Sequence, residues 1–168
     1  MRVLLLAVAS MIGAAGPVLA QPADTGWTAS LLAGQLFGGD LDVGERELTA
    51  GAAVGRSMGR GFSLEAELAV IPELSQFDAE LWVGTGSLLY HPVAIGRRVT
   101  PYGLLGASLA RITAPRPGPT SLEVALDFGG GVWLRVAGPI ALRADVRFIH
   151  IDNAPNFWRA AGGVTFAP

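Results

Sequence analysis

Two histidines and no cysteine restrict the nucleophilic and metal chemistry that this 168-residue chain can support. His150 and Asp152 are two positions apart, and that spacing on an extended strand places both side chains on one face. Such a pair could act in general acid–base catalysis if a hydroxyl nucleophile lay within hydrogen-bond reach. No serine stands near them in the sequence, so we expect no catalytic residue. His91 precedes Pro92 in a predicted turn, where we expect it to be solvated.

Charged residues that alternate with apolar ones form the other candidate site. They are Glu65, Glu67, Glu123, Asp127, Arg135, Arg143, Asp145, Arg147 and Arg159. Unpaired buried charges are costly, and the two signs are nearly balanced, so arginine–carboxylate pairing across strands is expected. The acids are spread over three predicted strands without metal-ligand spacing, so we expect no metal and no other cofactor.

A two-residue period places these charges opposite an apolar face. From Leu122 to Val136 every even position holds an apolar residue or glycine, while Glu123, Asp127 and Arg135 stand at odd positions. Successive side chains of a strand point to opposite faces, so this segment has one apolar face. Its 15 residues exceed an ordinary strand and suffice to cross a bilayer at a tilt.

The same period predicts eight strands. They are Trp27–Phe37, Glu47–Met58, Phe62–Val70, Phe77–Tyr90, Tyr102–Ile112, Leu122–Val136, Ile140–His150 and Trp158–Phe166. The fourth strand is less regular, with Leu81, Val83 and Leu89 on the apolar face opposite Glu80, Gly84 and Gly86. The fifth strand alternates too weakly for its faces to be assigned. An even number of strands and alternating connection lengths predict an all-β, eight-stranded antiparallel up-and-down transmembrane barrel.

The N-terminus has the pattern of an export signal. Arg2 precedes an apolar run from Val3 to Ile12, and Val18-Leu19-Ala20 offers small residues before a cleavage point. We expect residues 1–20 to be removed as a signal peptide and residues 21–168 to form one barrel domain. The mature chain would carry 11 arginines against 14 acids, a balance that gives no sign of nucleic-acid binding.

Alternation alone does not decide which face meets water, because a soluble lipocalin-like cup would turn its apolar face inward. Small residues on the polar face suit a narrow lumen, and the long strands suit a bilayer. Aromatic residues near strand ends are typical of interfacial girdles. These are Trp27, Phe37, Phe62, Tyr90, Tyr102, Phe148, Trp158 and Phe166. An eight-stranded lumen is filled by its own side chains, so we expect a closed barrel, with a narrow ion-conducting pore as the alternative.

Four segments resemble the small outer-membrane β-barrel families of the outer-membrane protein A/X kind. They are Pro101-Tyr102-Gly103, Asp127–Val132, Leu142–Phe148 and Trp158–Phe166. The resemblance implies a barrel in the outer membrane of a Gram-negative bacterium. It also implies insertion by the barrel-assembly machinery that reads an aromatic-terminated last strand, although here Ala167 and Pro168 follow the last aromatic residue. The implied partners are membrane lipids and lipopolysaccharide, and we expect a monomer with a structural or surface-contact role.

A second similarity concerns the loop after the seventh strand. The run from His150 to Ala154 is similar to the His-x-Ser-Asn-Ala segment of the lipid A 3-O-deacylase barrels, in which an outward histidine activates a serine. Asp152 stands at the serine position here. A carboxylate cannot perform that acyl transfer in the same way. The similarity therefore implies a lipid A ester hydrolase that uses His150 and Asp152 only as an alternative function.

Overall fold

The computed structural model describes residues 26–40, 47–74, 79–92, 98–113, 121–152 and 155–168. Its eight strands are β1 (Trp27–Phe37), β2 (Glu47–Gly59), β3 (Phe62–Leu74), β4 (Ala79–Tyr90), β5 (Val99–Thr113), β6 (Ser121–Ala137), β7 (Ile140–Ile151) and β8 (Phe157–Phe166). Each strand pairs antiparallel with the next, and β8 pairs with β1, so the sheet closes into a barrel. The predicted fold is thereby confirmed. The predicted signal peptide, residues 1–20, lies outside the described residues.

The two ends of the barrel differ in their connections. Residues 38–46, 75–78, 114–120 and 152–156 join strands at one end, which we call the loop end. Residues 60–61, 91–98 and 138–139 join strands at the other, which we call the turn end. Positive φ angles at Gly59, Arg60 and Gly61 allow the tight link between β2 and β3. No helix among the described residues is long and apolar enough to span a membrane.

Apolar side chains cover the outside of the barrel. Leu64 and Leu126 are 51% and 56% exposed, whereas the adjacent Glu65 and Asp127 are only 5% and 2% exposed. A soluble cup would have the opposite arrangement, so that alternative is excluded. The outward apolar and inward polar alternation is the one that suits a barrel surrounded by lipid.

The lumen is filled in three layers. Near the loop end it contains an apolar cluster of Leu36, Ile71, Leu81, Val83, Ala110, Ala125, Ile149, Ile151 and Phe157. Charged side chains occupy the middle. Toward the turn end Leu89, Tyr102 and Leu104 form a second cluster, with Trp133 packed against it. The charged layer therefore lies between two apolar layers.

The orientation predicted for the fourth strand is wrong. Three side chains predicted to face outward are 1–3% exposed inside the lumen, namely Leu81, Val83 and Leu89. Gly84 and Gly86 lie on the outer face with open space beside them. Pairing sets this orientation, because Val83 lies opposite the buried Ala69 of β3. The inward residues of β4 are mostly apolar, so hydropathy does not reveal which face of this strand points into the lumen.

Two aromatic residues near the turn end also lie in the lumen. The even-numbered residues of β5 face inward, so Tyr102 is only 4% exposed and its assignment to an interfacial girdle is wrong. Its hydroxyl is hydrogen-bonded to Asp145 and Arg143 inside the barrel, which offsets the cost of removing it from water. His91 is 5% exposed rather than solvated, and its ring lies 4.8 Å from that of Trp133.

Arginine on the outer face should destabilise the barrel according to depth. Leu31, in the middle of β1, and Leu48, next to the loop end of β2, are 71% and 70% exposed. We expect Leu31→Arg to lower the free energy of unfolding by about 2–4 kcal/mol and Leu48→Arg by at most about 1 kcal/mol. Urea unfolding in lipid vesicles measures both values. The two leucines are almost equally exposed, so only their depth in a bilayer distinguishes them. Equal effects of the two substitutions would therefore contradict a bilayer around this surface.

Candidate functional site

Seven of the nine predicted lumen charges meet in the middle layer. They are Glu65, Glu67, Asp127, Arg143, Asp145, Arg147 and Arg159. The other two lie apart from them, since Glu123 is half-buried near the loop end and Arg135 is exposed at the turn end. Both stand at odd-numbered positions of β6, the positions whose side chains point inward; these positions are the inward phase of the strand. Alternation therefore predicts the face of a residue but not its depth along the barrel axis.

Arg143 of β7 makes the most complete set of contacts. Its Nη1 donates to Glu65 Oε2 at 2.5 Å and its Nη2 to Glu65 Oε1 at 2.9 Å, a bidentate pair across the lumen. Its Nη2 also lies 2.9 Å from Asp145 Oδ2, and its Nε donates to the Tyr102 hydroxyl at 2.9 Å. That hydroxyl in turn donates to Asp145 Oδ2 at 3.0 Å. The Arg143 guanidinium thus connects β3, β5 and β7.

Arg147 and Arg159 extend the network toward the loop end. Arg147 Nη2 lies 2.8 Å from Glu67 Oε2 and 3.3 Å from Glu65 Oε1. Arg159 Nη1 lies 2.5 Å from Glu67 Oε1, which brings β8 into the network. Asp127 of β6 is farther away, at 3.7 Å from Arg147 Nη1. Four carboxylates thus face three guanidiniums.

Small residues make room for these side chains. A Cβ atom on Gly131 would collide with the Tyr102 hydroxyl and with Asp145, and one on Gly106 would collide with the Asp127 carboxylate. The Asp127 carboxylate also accepts a hydrogen bond from Ser108 at 3.1 Å. The sequence pattern indicates close packing at the glycine run of β6. It does not indicate which groups fill the space.

The chemistry available to the network is electrostatic and structural. Its side chains are no more than 6% exposed, and the apolar layers separate them from both ends of the barrel. A substrate would have no access to them. Removing one partner of such a buried pair leaves an uncompensated charge, which makes the intact network a strong determinant of the folded state.

His91 follows the last residue of β4 at the turn end. Its Nε2 lies 3.3 Å from the Ser63 hydroxyl, and its ring contacts both Tyr102 and Trp133. Burial lowers the pKa of His91 to about 4, and the positive charge of Arg143 contributes to that lowering. The imidazole is therefore neutral at neutral pH and packs as part of the turn-end apolar layer.

Aromatic residues form a belt near each end of the outer face. The ring of Phe148 lies 5.4 Å from Phe128 and 5.1 Å from Trp158 near the loop end. Near the turn end the rings of Phe62 and Tyr90 are 4.9 Å apart. Trp27, Phe37 and Phe166 are 58%, 40% and 50% exposed. Phe128 and the 40% exposed Trp82 also face outward and were missing from the predicted girdle.

His150 and Asp152 are both exposed at the loop end, but His150 has a different partner. Its Nδ1 is hydrogen-bonded to Asn156 Oδ1, and Asn156 Nδ2 donates to Asp40 Oδ2 at 2.8 Å. Within the described part of the chain no hydroxyl group is hydrogen-bonded to His150. These bonds link the connection after β7 to the one after β1.

No cluster of three or more histidine, aspartate or glutamate side chains suited to a metal ion occurs across the described ranges.

Comparison with known proteins identifies the fold. No protein-family model matches the sequence, and no curated protein matches it significantly. The crystal structure of the N-terminal β-barrel domain of Pseudomonas aeruginosa OprF is similar, with a TM-score of 0.68 at 14% identity over 88% of this chain and 100% of that one. Neisserial surface protein A (NspA) has a TM-score of 0.68 at 16% identity over 84% of this chain and 96% of its own. A major outer membrane protein from Thermus thermophilus has a TM-score of 0.55 at 13% identity, over 84% of this chain and 99% of its own. The shared feature is the small outer-membrane barrel fold.

Arg143 should contribute strongly to stability. We expect Arg143→Met to lower the free energy of unfolding by about 3–5 kcal/mol, because Glu65 and Asp145 would remain charged without their main partner. Adding Glu65→Met should restore at least about 1 kcal/mol, since an apolar pair replaces an orphaned carboxylate. Urea unfolding in vesicles measures each value. Arg111→Met, on the exposed outer face, should change stability by less than about 0.5 kcal/mol. Additive losses in the double variant would contradict a coupled pair.

His91 should make stability depend on pH. The unfolded state binds a proton near pH 6.5, whereas the folded state resists protonation until about pH 4. The contribution of His91 is thus complete above pH 6.5 and is lost as the pH falls toward 4, by about 3 kcal/mol. Unfolding midpoints at several pH values test this, with His91→Gln as the control. Parallel pH profiles of the two proteins would refute it.

Proposed function

We propose that this protein is a closed barrel of a Gram-negative outer membrane with a structural or surface-contact role, related to the outer-membrane protein A/X-like barrels. The observation that carries this proposal is an apolar outer face around a buried, charge-paired lumen, because only a lipid environment makes that distribution stable. The small outer-membrane barrels that share the fold support the same location.

The filling of the lumen supports a barrel that does not conduct ions. An ion moving along the axis would have to pass the loop-end cluster around Phe157 and Ile71, the ion-pair layer, and the turn-end cluster around Tyr102 and Leu104. Crossing the two apolar layers costs hydration energy, and crossing the middle layer requires breaking paired charges. The ion-conducting pore is accordingly the less favoured function.

The loop end supplies the surface for contacts outside the membrane. Its connections are carried on a rigid barrel, an arrangement that commonly places binding residues on loops. Asn156 donates hydrogen bonds from its backbone N–H and its Nδ2 to Asp40 Oδ2 and accepts one at Oδ1 from His150 Nδ1, and these bonds join two of the connections. We assign them a structural role, because His150 has no hydroxyl partner within the described residues that could act as a nucleophile. Lipids and lipopolysaccharide are the proposed neighbours of this monomeric barrel, and the barrel-assembly machinery its proposed partner during insertion.

Conductance and membrane partition test the proposal together. We expect the protein to fractionate with the outer membrane, to migrate anomalously on gels until boiled, and to produce no discrete current steps in planar bilayers. An open porin reconstituted in parallel controls for vesicle fusion. Recovery in the aqueous phase would contradict the membrane location. Reproducible current steps that increase in Arg147→Ala would instead favour a pore.

A further inference from the structure

Charged residues outside the ion-pair layer are sorted by sign along the barrel axis. At the loop end the described acidic side chains are Asp40, Glu47, Glu80, Glu123 and Asp152, beside a single described arginine, Arg111. Glu73 of β3 stands near the same end. At the turn end the described charged side chains are Arg56, Arg60, Arg98 and Arg135, with no aspartate or glutamate among them. These described side chains give the turn end a ring of positive charge.

Arg56 lies beside a tryptophan at the turn end. It lies on the outer face of β2, three residues before the strand ends at Gly59, and it is exposed. Its guanidinium lies 5.4 Å from the centre of the Trp27 ring, and the two residues are paired in register between β1 and β2. No carboxylate among the described residues forms an ion pair with Arg56. An arginine beside an interfacial tryptophan can extend its charged group to the membrane surface, where lipid phosphates are the available anions.

Arg98 and Arg135 form a second positive site on the same end. The backbone N–H of Arg135 donates to the carbonyl of Arg98 at 2.8 Å, which places the two residues side by side where β5 begins and β6 ends. Both are exposed, and neither forms an ion pair within the described residues. Arg135 has the inward phase of β6, so the two residues lie at the mouth of the barrel and not on its lipid-facing side.

We propose that the turn end binds anionic phospholipid headgroups of the leaflet around it, with the outer-face Arg56 on Trp27 as the contact. The proposal rests on the proposed membrane location. A phosphodiester headgroup fits, because guanidinium groups bind phosphate oxygens in bidentate geometry. A cell-wall polymer would explain the Arg98–Arg135 pair but not Arg56, whose outer-face position is reached from the lipid and not from beyond the membrane.

Lipid selectivity measured by electron spin resonance tests the headgroup site. The protein is folded into phosphatidylcholine vesicles that contain a trace of spin-labelled phosphatidylglycerol or spin-labelled phosphatidylcholine, and the immobilised fraction of each label is compared. We expect phosphatidylglycerol to associate about fivefold more strongly at low ionic strength, the factor that one arginine near the membrane surface contributes. The preference should nearly vanish in about 1 M salt, where the screening length is roughly 3 Å.

Matched variants locate the selectivity. Arg56→Gln should reduce the preference at least about twofold. The double variant Arg98→Gln/Arg135→Gln, at the mouth of the barrel, should leave it unchanged. Both variants remove exposed side chains, so folding is preserved, and the heat-modifiable gel shift verifies it.

Four outcomes would overturn the proposal. Equal immobilisation of the two lipids would reject the headgroup site while leaving the membrane location intact. A preference that inorganic phosphate abolishes at constant ionic strength would show a general phosphate site instead. Sedimentation with peptidoglycan that depends on Arg98 and Arg135, without lipid preference, would assign the ring to the cell wall. Immobilisation of neither lipid, together with no gel shift, would reject the membrane location itself.

Discussion

The buried arginines of the lumen must each be paired with lumen carboxylates, and this constraint governs the rest of the structure. Arg143 and Arg147 are buried at 2% and 1% exposure, where an unpaired guanidinium would cost several kcal/mol. Their carboxylate partners lie on strands far apart in sequence, and Arg143 and Glu65 are separated by 78 residues. The pairing is satisfied only when the barrel is closed in the observed register, so the network favours one arrangement of strands over its slipped alternatives.

The apolar layers at both ends raise the importance of that pairing. Excluding water from the middle layer lowers the local dielectric, which strengthens each ion pair and increases the cost of a missing partner. Trp133 and His91 close the turn end, and Phe157 closes the loop end. A lumen built in this way supports the barrel mechanically. Contacts with other molecules are left to the rims and the outer face.

The described residues of the two rims carry opposite charges, although the chain as a whole is nearly neutral, with a formal net charge of −2. An acidic loop end and a basic turn end present different chemistry to the two sides of a membrane. This separation lies outside the ion-pair layer and is independent of it. One set of charges therefore acts in the closed interior, and a second set acts where the barrel meets its surroundings.

The sequence by itself determined the strand number, the barrel class and the inward face of most strands, because a period of two is a local property of the backbone. It also identified the residues of the ion-pair network. Only the tertiary structure decided depth along the axis, which separates Glu123 and Arg135 from Asp127. It also decided the orientation of β4 and placed Tyr102 and His91 in the lumen, since the inward side of these segments is largely apolar. Those features depend on the register between neighbouring strands. Register is set by how two strands pair, and the sequence pattern of one strand does not contain that information.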